Sequence, residues 1–430
     1  MLSWTTNQAI WTDRNYEKLA EESYVRNAVA FKCVKLIASS AATVPWLMQD
    51  GDKEIDKHAL LDLLSNPSPM IGGHALFEAY YAYLLLAGNS YLVAPLIGSG
   101  KRPPAELWNL RPDRMKIVPG PFGVPQAFEY TVNGQTKRFQ VDPMTGAGEV
   151  LHVKEFHPTD DWYGLSRVQA GAYGIDRHNA ASAHNKALLD NGARPSGALV
   201  FQPVKGDNGS ERAAPQEVVD AARENLKERV GPKHAGEPFV FGGNVDWLEM
   251  GVTPKDMDFL KGKEDAARDI CYAFGVPDIL IVPGSSTYNN VAEAKLDLWE
   301  QTILPLIDHT LDALNSWLVP RYGNPNLRLG VDLDEISALE PRRESKRASV
   351  SKLLTDGVID ADEAREALQY GPRPPGALRL QRGDGPIIAA LVAAAQADTG
   401  MLEPLYRYLV SAGLVDAGST SLDAFITQWD

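Results

Sequence analysis

The side chains in this 430-residue chain that have reactive chemistry are few and scattered. His152 and His157 stand five apart, with Glu155 between them and Asp160-Asp161 after. Such a group ligates a metal only if a turn folds it together. The spacing matches no zinc pattern, so a surface loop is expected. Asp332 and Asp334 lie two apart, on one side of an extended segment, and no partner motif accompanies them. They read as the polar edge of a strand. The chain has no GxxxxGK(S/T) phosphate loop and no GxSxG nucleophile elbow. Cys33 and Cys271 each sit in an apolar helical pattern, which implies reduced thiols rather than a disulfide framework. No catalytic set, metal or cofactor is expected, so any work on a macromolecule draws its energy from elsewhere.

Charge narrows the reading further. The formal net charge is −14. Proteins that grip nucleic acid through phosphates are basic, so tight or sequence-specific DNA binding is disfavoured. An acidic lining would repel a duplex and keep it from sticking, and a surplus of acid also simply keeps a large protein soluble. With 44% hydrophobic and 23% charged residues the chain has ordinary globular composition, long enough for two or more cores. Met1-Leu2-Ser3-Trp4 is followed by polar residues, unlike a signal peptide. Residues 79–100 carry no charge, but Gly88-Asn89-Ser90 splits them into a helix and a strand, so no membrane span is expected.

The elements that would position any functional loop lie between Thr253 and Pro320. Thr253-Pro254 opens a helix with Leu260, Ala267, Ile270, Cys271 and Phe274 on one face, and Gly275 and Pro277 stop it. An uncharged loop follows, Pro283-Gly284-Ser285-Ser286-Thr287-Tyr288-Asn289-Asn290. Then Leu296, Trp299, Ile303, Ile307, Leu311, Leu314 and Leu318 mark one face of a long amphipathic helix. Pro305 removes the bond to the carbonyl of Gln301, which predicts a kink there.

Upstream, helices are expected over 24–44, 58–64 and 73–87. Short strands follow over Tyr91–Leu96, Glu106–Leu110, Met115–Val118, Phe128–Val132, Lys137–Val141 and Glu149–Lys154. Asn133-Gly134 reads as the hairpin turn between the fourth and fifth. A helix over 165–191 has a small face, with Gly171 and Gly174 within it; each glycine costs about 1 kcal/mol against alanine. That face suits either a ring of packed helices or packing against its own domain. Residues 203–252 read as an insertion with a charged helix over 215–230 and strands at Phe239–Phe241 and Val245–Leu248 around Gly242-Gly243. Past Pro320, Leu327–Val331 is strand-like, and Arg342, Arg343, Lys346 and Arg347 form a basic patch that is expected to pair with Glu340 and Glu344. Asp360 with Glu363 forms a capping box. Residues 371–385 read as a Pro/Gly-rich linker, with helical segments beyond.

The run Ile270-Cys271-Tyr272-Ala273-Phe274-Gly275-Val276-Pro277, then Tyr288-Asn289-Asn290, then a long helix with Leu304-Pro305, resembles the portal proteins of long-tailed double-stranded DNA phages. Asn66-Pro67, Gly88-Asn89-Ser90-Tyr91 and Leu107-Trp108-Asn109-Leu110 with Pro112 extend the likeness, which covers about residues 24–370. The resemblance implies an α+β chain with the portal fold: an α+β wing, a two-helix stem, a small α/β clip, a long kinked helix and a helical crown. Its boundaries would be a flexible arm at 1–23, wing 24–164, stem helix 165–192, clip 193–252 and stem helix 253–276. A tunnel loop at 277–291, the long helix and wing return at 292–340, crown 341–384 and a helical tail 385–430 complete the chain.

By the same resemblance the chain is not an enzyme. It would form a homo-dodecameric ring at one capsid vertex of a virion, assembled in host cytoplasm. Ser285, Ser286, Thr287, Tyr288, Asn289 and Asn290 would face double-stranded DNA, held non-specifically. Lys255, Lys261, Lys263 and Arg268 are candidates for basic rings, or else partners of Glu264, Asp265 or Asp269. Large terminase, head–tail adaptor and a major capsid or scaffolding protein are the implied partners, with no membrane. Two other readings stay open: an oligomeric enzyme with a lid at 283–290, and a non-channel minor virion protein.

Overall fold

The computed structural model describes residue 12, residues 15–370 apart from 52, 96–102, 191–196, 203, 206–210, 213, 230–244, 250–258, 283–287 and 369, and residues 403, 406, 407 and 410. It divides into two units, Met1–Glu335 and Ile336–Asp430. The first opens with α1 (Tyr16–Ala20), a π turn (Glu21–Val25), α2 (Ala28–Ala42), β1 (Trp46–Asp50), β2 (Lys53–Ile55), α3 (Ala59–Ser65) and α4 (Gly73–Ala87). Strands β3 (Asn89–Val93), β4 (Trp108–Leu110), β5 (Met115–Val118), β6 (Ala127–Val132), β7 (Gln135–Gln140) and β8 (Val150–Lys154) come next. Then follow α5 (Arg167–Ala170), α6 (Ala172–Asp190), β9 (Gly197–Phe201), β10 (Val204–Lys205), β11 (Glu211–Arg212), α7 (Gln216–Arg229), β12 (Val245–Glu249) and α8 (Phe259–Phe274). The unit closes with α9 (Tyr288–Leu298), a second π turn (Trp299–Ile303), α10 (Leu304–Trp317) and β13 (Leu327–Val331). The second unit carries α11 (Glu340–Thr355) and α12 (Ala361–Ala367).

Local chemistry sets the boundaries. The side chain of Asn27 accepts bonds from the amides of Val29 and Ala30, both at 3.0 Å, and starts α2 there rather than at residue 24. α4 ends at Gly88, whose φ of 69° is the left-handed cap a side chain resists. The two helices pack through Cys33, Val34 and Ile37 against Leu76, Phe77, Tyr80, Tyr81 and Leu84, all at most 1% exposed. Each such large apolar side chain contributes roughly 1.5–3 kcal/mol by leaving water.

The unit holds three three-stranded antiparallel sheets, β4-β3-β8, β5-β6-β7 and β13-β1-β2, and α4 packs against β3 and β4 of the first. The hairpin β6–β7 turns at Asn133 (φ 49°) and Gly134 (φ 77°), as their tolerance of positive φ predicts. The third sheet was not expected, because β1 and β2 follow Pro45 in a stretch with no clear alternation. Its register pairs Met48 with Leu329, so the end of the unit returns to its beginning. Strands β9 and β12 form a separate antiparallel ribbon, pairing Phe201 with Val245 and Gly197 with Glu249.

Two expectations are corrected, and the long helix carries a feature that was not expected. The helix over 165–191 is broken: α5 ends at Gly171 and α6 starts at Ala172. Asp332 and Asp334 lie past the end of β13, where Asp332 accepts the amide of Asp334 at 2.8 Å, so they close a turn instead of edging a strand. In the long helix the regular α ladder is interrupted by the π turn at Trp299–Ile303, with exposed Pro305 just after it. The Thr253-Pro254 helix start, a strand at Phe239–Phe241 and most of the segments beyond residue 370 lie outside the described residues. No described helix is long and apolar enough to cross a membrane.

In the second unit, Asp360 accepts the amides of Asp362 and Glu363 at 2.8 and 2.7 Å. The Glu363 carboxylate takes the Asp360 amide at 2.9 Å, which completes the expected capping box. Arg343 and Arg347 both pair with Glu340, as expected of that basic patch.

Candidate functional site

The small residues of α5–α6 meet α8. A Cβ on Gly171 would sit 2.9 Å from the Cβ of Ala273, and one on Gly174 3.1 Å from the Cβ of Asp269. Ala172 and Ile175 on this side face inward, as do Ala266, Ala267, Ile270, Cys271 and Phe274 of α8, whereas Ala183 and Ala187 are exposed. The glycines therefore serve a contact within the chain. Arg177 pairs with Asp269 across the two helices at 3.0 Å. The hydrogen bond to Cys271, together with burial, pushes the Cys33 thiol well above its ordinary range where α2 meets α8.

The exit of α8 is tied down on several sides. Val276 donates to the Cys271 carbonyl at 2.9 Å, closing the helix through Gly275 at φ 71°. Arg167 donates to the Phe274 carbonyl at 2.8 Å and pairs with Glu155 at 3.3 Å. The Thr302 hydroxyl, in the π turn, donates to the Gly275 carbonyl at 2.5 Å. Arg268 bridges the helix to the following turn, reaching Asp278 at 3.2 Å and Asp265 at 3.1 Å.

Of the other candidate residues, Lys261 is exposed and Lys263 half-buried. Burial and the nearby Lys263 charge lower the pKa of His178 on α6. Asn290 is exposed in the first turn of α9, which starts at Tyr288. Lys255, Ser285, Ser286 and Thr287 and the side chains of Tyr288 and Asn289 lie outside the described residues.

His152 and His157 do different jobs. The His157 ring accepts the amide of Thr159 at 3.2 Å. His152 stacks on Tyr91, ring centroids 4.5 Å apart, and meets the Asn89 side-chain oxygen at 2.9 Å. That oxygen also accepts the Gly164 amide at 2.9 Å, so the His152 Nε2 is the donor. Burial first, and the Lys154 charge second, bring its pKa down to about 3. Among the described residues no cluster of three or more His, Cys, Asp or Glu is placed to hold a metal.

Sequence reasoning missed Thr302, Arg167 and the part played by Asn89. Thr302 had a signal: it lies on the four-step row Leu298, Thr302, Leu306, Thr310, Leu314, Leu318, all buried.

The profile of the phage portal protein family matches residues 28–369, most of the chain. The chain belongs to the phage portal protein family. This portal protein is 40% identical to a chain in the neck of an empty gene transfer agent particle, solved with six-fold symmetry. The likeness covers 86% of this chain and 97% of that one, with a TM-score of 0.65. In the neck of the native particle, solved with twelve-fold symmetry, the identity is 39%, the coverages 86% and 97% and the TM-score 0.64. The portal protein of Enterobacteria phage HK97 is 21% identical over 374 residues, 84% of this chain and 83% of that protein. The portal protein thus has a phage-like portal role and an α+β fold.

Proposed function

We propose that this portal protein forms a dodecameric ring at one capsid vertex, through which double-stranded DNA enters during packaging and leaves on ejection. The observation that carries this reading is the order of elements around α6 and α8. The two helices pack together, yet about seventy residues separate them in sequence, and these include the β9–β12 ribbon. Such a helix pair with an insertion at its far end corresponds to a stem (165–192 and 253–276) carrying a clip (193–252). Residues 24–164 then form the wing, 277–291 the tunnel loop, 292–340 the long helix and wing return, and 341–384 the crown. The twelve-fold neck at 39% identity supports the ring size.

The loop residues Ser285, Ser286, Thr287, Tyr288, Asn289 and Asn290 face the DNA in this arrangement. Repeated around an axis, an uncharged loop offers weak, exchangeable hydrogen bonds and no single phosphate trap. Lys255, Lys261 and Lys263 are the basic-ring candidates. Arg268 is already bound to Asp265 and Asp278, and is better suited to bracing the loop's base. A separate terminase supplies the motor, docking with the later head–tail adaptor at the clip. A capsid or scaffolding protein contacts the ring, assembly takes place in host cytoplasm, and the chain acts as a structural part rather than a catalyst.

Electron microscopy of the purified protein is expected to show rings with a hole of about 20 Å or more, enough for a duplex with its grooves. Deleting Ser285–Asn289 is expected to spare ring assembly and impair DNA packaging or retention. Full genome content at normal particle yield in that variant would overturn the tunnel-loop assignment.

A further inference from the structure

The π turn at Trp299–Ile303 has a function in the geometry of the long helix. The buried row from Leu298 to Leu318 advances four residues at a time. On an ideal α-helix such a row runs ahead by about 40° per step, so over this length it would leave the core face. The π turn winds more slowly and returns roughly one residue's rotation. It thereby keeps Leu298 and Trp299 on the same side as Leu314 and Leu318, and it brings Thr302 to that side too.

Thr302 is 4% exposed. A helical threonine ordinarily bonds the carbonyl one turn back along its own helix, as Thr310 does to Leu306 at 3.0 Å. Thr302 instead donates to Gly275, 27 residues earlier, at 2.5 Å. The fit is mutual. A Cβ on Gly275 would lie 2.7 Å from the Thr302 hydroxyl oxygen, and the φ of 71° there independently favours glycine. Gly275 is the point at which the chain leaves α8 for the segment 276–282 that leads into the loop.

We propose that Thr302 is a positioning residue. Its hydroxyl, aimed by the π turn, latches the end of α8 to the long helix and fixes where the segment 276–282 departs. The value of this latch for DNA passage rests on the channel reading; the latch itself does not. Arg268–Asp278 and Arg167–Phe274 hold other atoms of the same exit, so removing the hydroxyl loosens the segment without unfolding it.

The test is amide hydrogen exchange on the full chain, read at Val276, Leu280, Ile281 and Val282, whose amides bond Cys271, Pro277 and Asp278 carbonyls. Thr302→Val keeps the shape and leaves the Gly275 carbonyl unpaired, so exchange at these four amides is expected to quicken about tenfold. Thr302→Ser, which keeps the hydroxyl, is expected to match the wild type. Deleting exposed Gln301, which takes the extra residue out of the turn, is expected to quicken exchange as Thr302→Val does. Unchanged exchange in Thr302→Val, or equal quickening in Thr302→Ser, would overturn the latch. Unchanged exchange after deleting Gln301 would overturn the part assigned to the π turn. Absence of rings in electron microscopy would instead count against the channel while leaving the exchange result standing.

Discussion

Replacing Asn89 tests the joint at which the β4-β3-β8 sheet meets the start of the α5–α6 segment. Asn89 is 5% exposed and its side chain is fully engaged. Its oxygen accepts the Gly164 amide and the His152 ring N–H, each at 2.9 Å, and its amide donates to the Ala87 carbonyl at 2.8 Å. Asn89→Ala leaves the buried Gly164 amide and the His152 donor without an acceptor. Each stranded buried group costs about 1–3 kcal/mol, so a loss of about 3 kcal/mol is expected. That is a large share of the ~5–15 kcal/mol that holds a typical domain folded. Urea unfolding followed by tryptophan fluorescence reads it, since Trp108 and Trp162 pack on the adjacent core. Asn89→Asp separates the contributions. The carboxylate still accepts both bonds but faces His152 with a negative charge, which draws the imidazole pKa up. Above its unfolded value, that pKa adds stability below about pH 6.5 that is lost as pH rises. The Asp variant should therefore gain on the Ala variant as pH falls from 7 to 6. A cost under about 1 kcal/mol for Asn89→Ala, or no pH-dependent gap between the two variants, would refute this account of the joint.

Two further predictions concern the same structure. In the wild type His152 is held neutral with a pKa of about 3, far below the unfolded value of about 6.5. As pH falls below 6.5 the unfolded chain takes up a proton that the folded chain refuses, so stability is lost progressively toward pH 3. The limiting slope is about 1.4 kcal/mol per pH unit, and roughly 1 is expected on average between pH 6.5 and 5 because the unfolded imidazole is only half protonated at the upper end; unfolding of His152→Gln over that range should show a shallower slope by that amount. Gly164→Ala should prevent stable folding of the first unit, because its Cβ would lie 2.1 Å from the Gly88 carbonyl oxygen and 2.7 Å from the backbone of Glu155; circular dichroism and solubility of the variant check it.

What could be read from the sequence follows from how local each cause is. The helix 73–87 was legible to the residue because Phe77, Tyr80, Tyr81, Leu84 and Leu85 repeat at helical spacing and Gly88 supplies its own stop. The β6–β7 hairpin was legible because Asn133-Gly134 decides the turn without help from the rest of the chain. β1 was not, since Trp46–Asp50 becomes a strand by pairing with Leu327–Val331 at the other end of the unit. The glycines at 171 and 174 showed that something packs closely on that helix. They did not show that the neighbour is α8 of the same chain, because a missing side chain has no preference for one partner.

The long helix shows the limit most clearly. Pro305 attracts attention because its defect is written in a single residue, while the π turn beside it arises from a row of core contacts spread over Leu298–Leu318. A proline interrupts a helix wherever it falls, but a π turn appears where the tertiary fit asks for one more residue than an α-helix allows. Here that fit also brings a polar side chain, Thr302, to a core position beside the one carbonyl at the end of α8 that it pairs. In a row otherwise read as apolar, a buried threonine at the same four-residue step is thus the trace that such a contact leaves in sequence. Thr310, on the same row, donates to the Leu306 carbonyl of its own helix, which shows that the trace alone does not say where the hydroxyl goes.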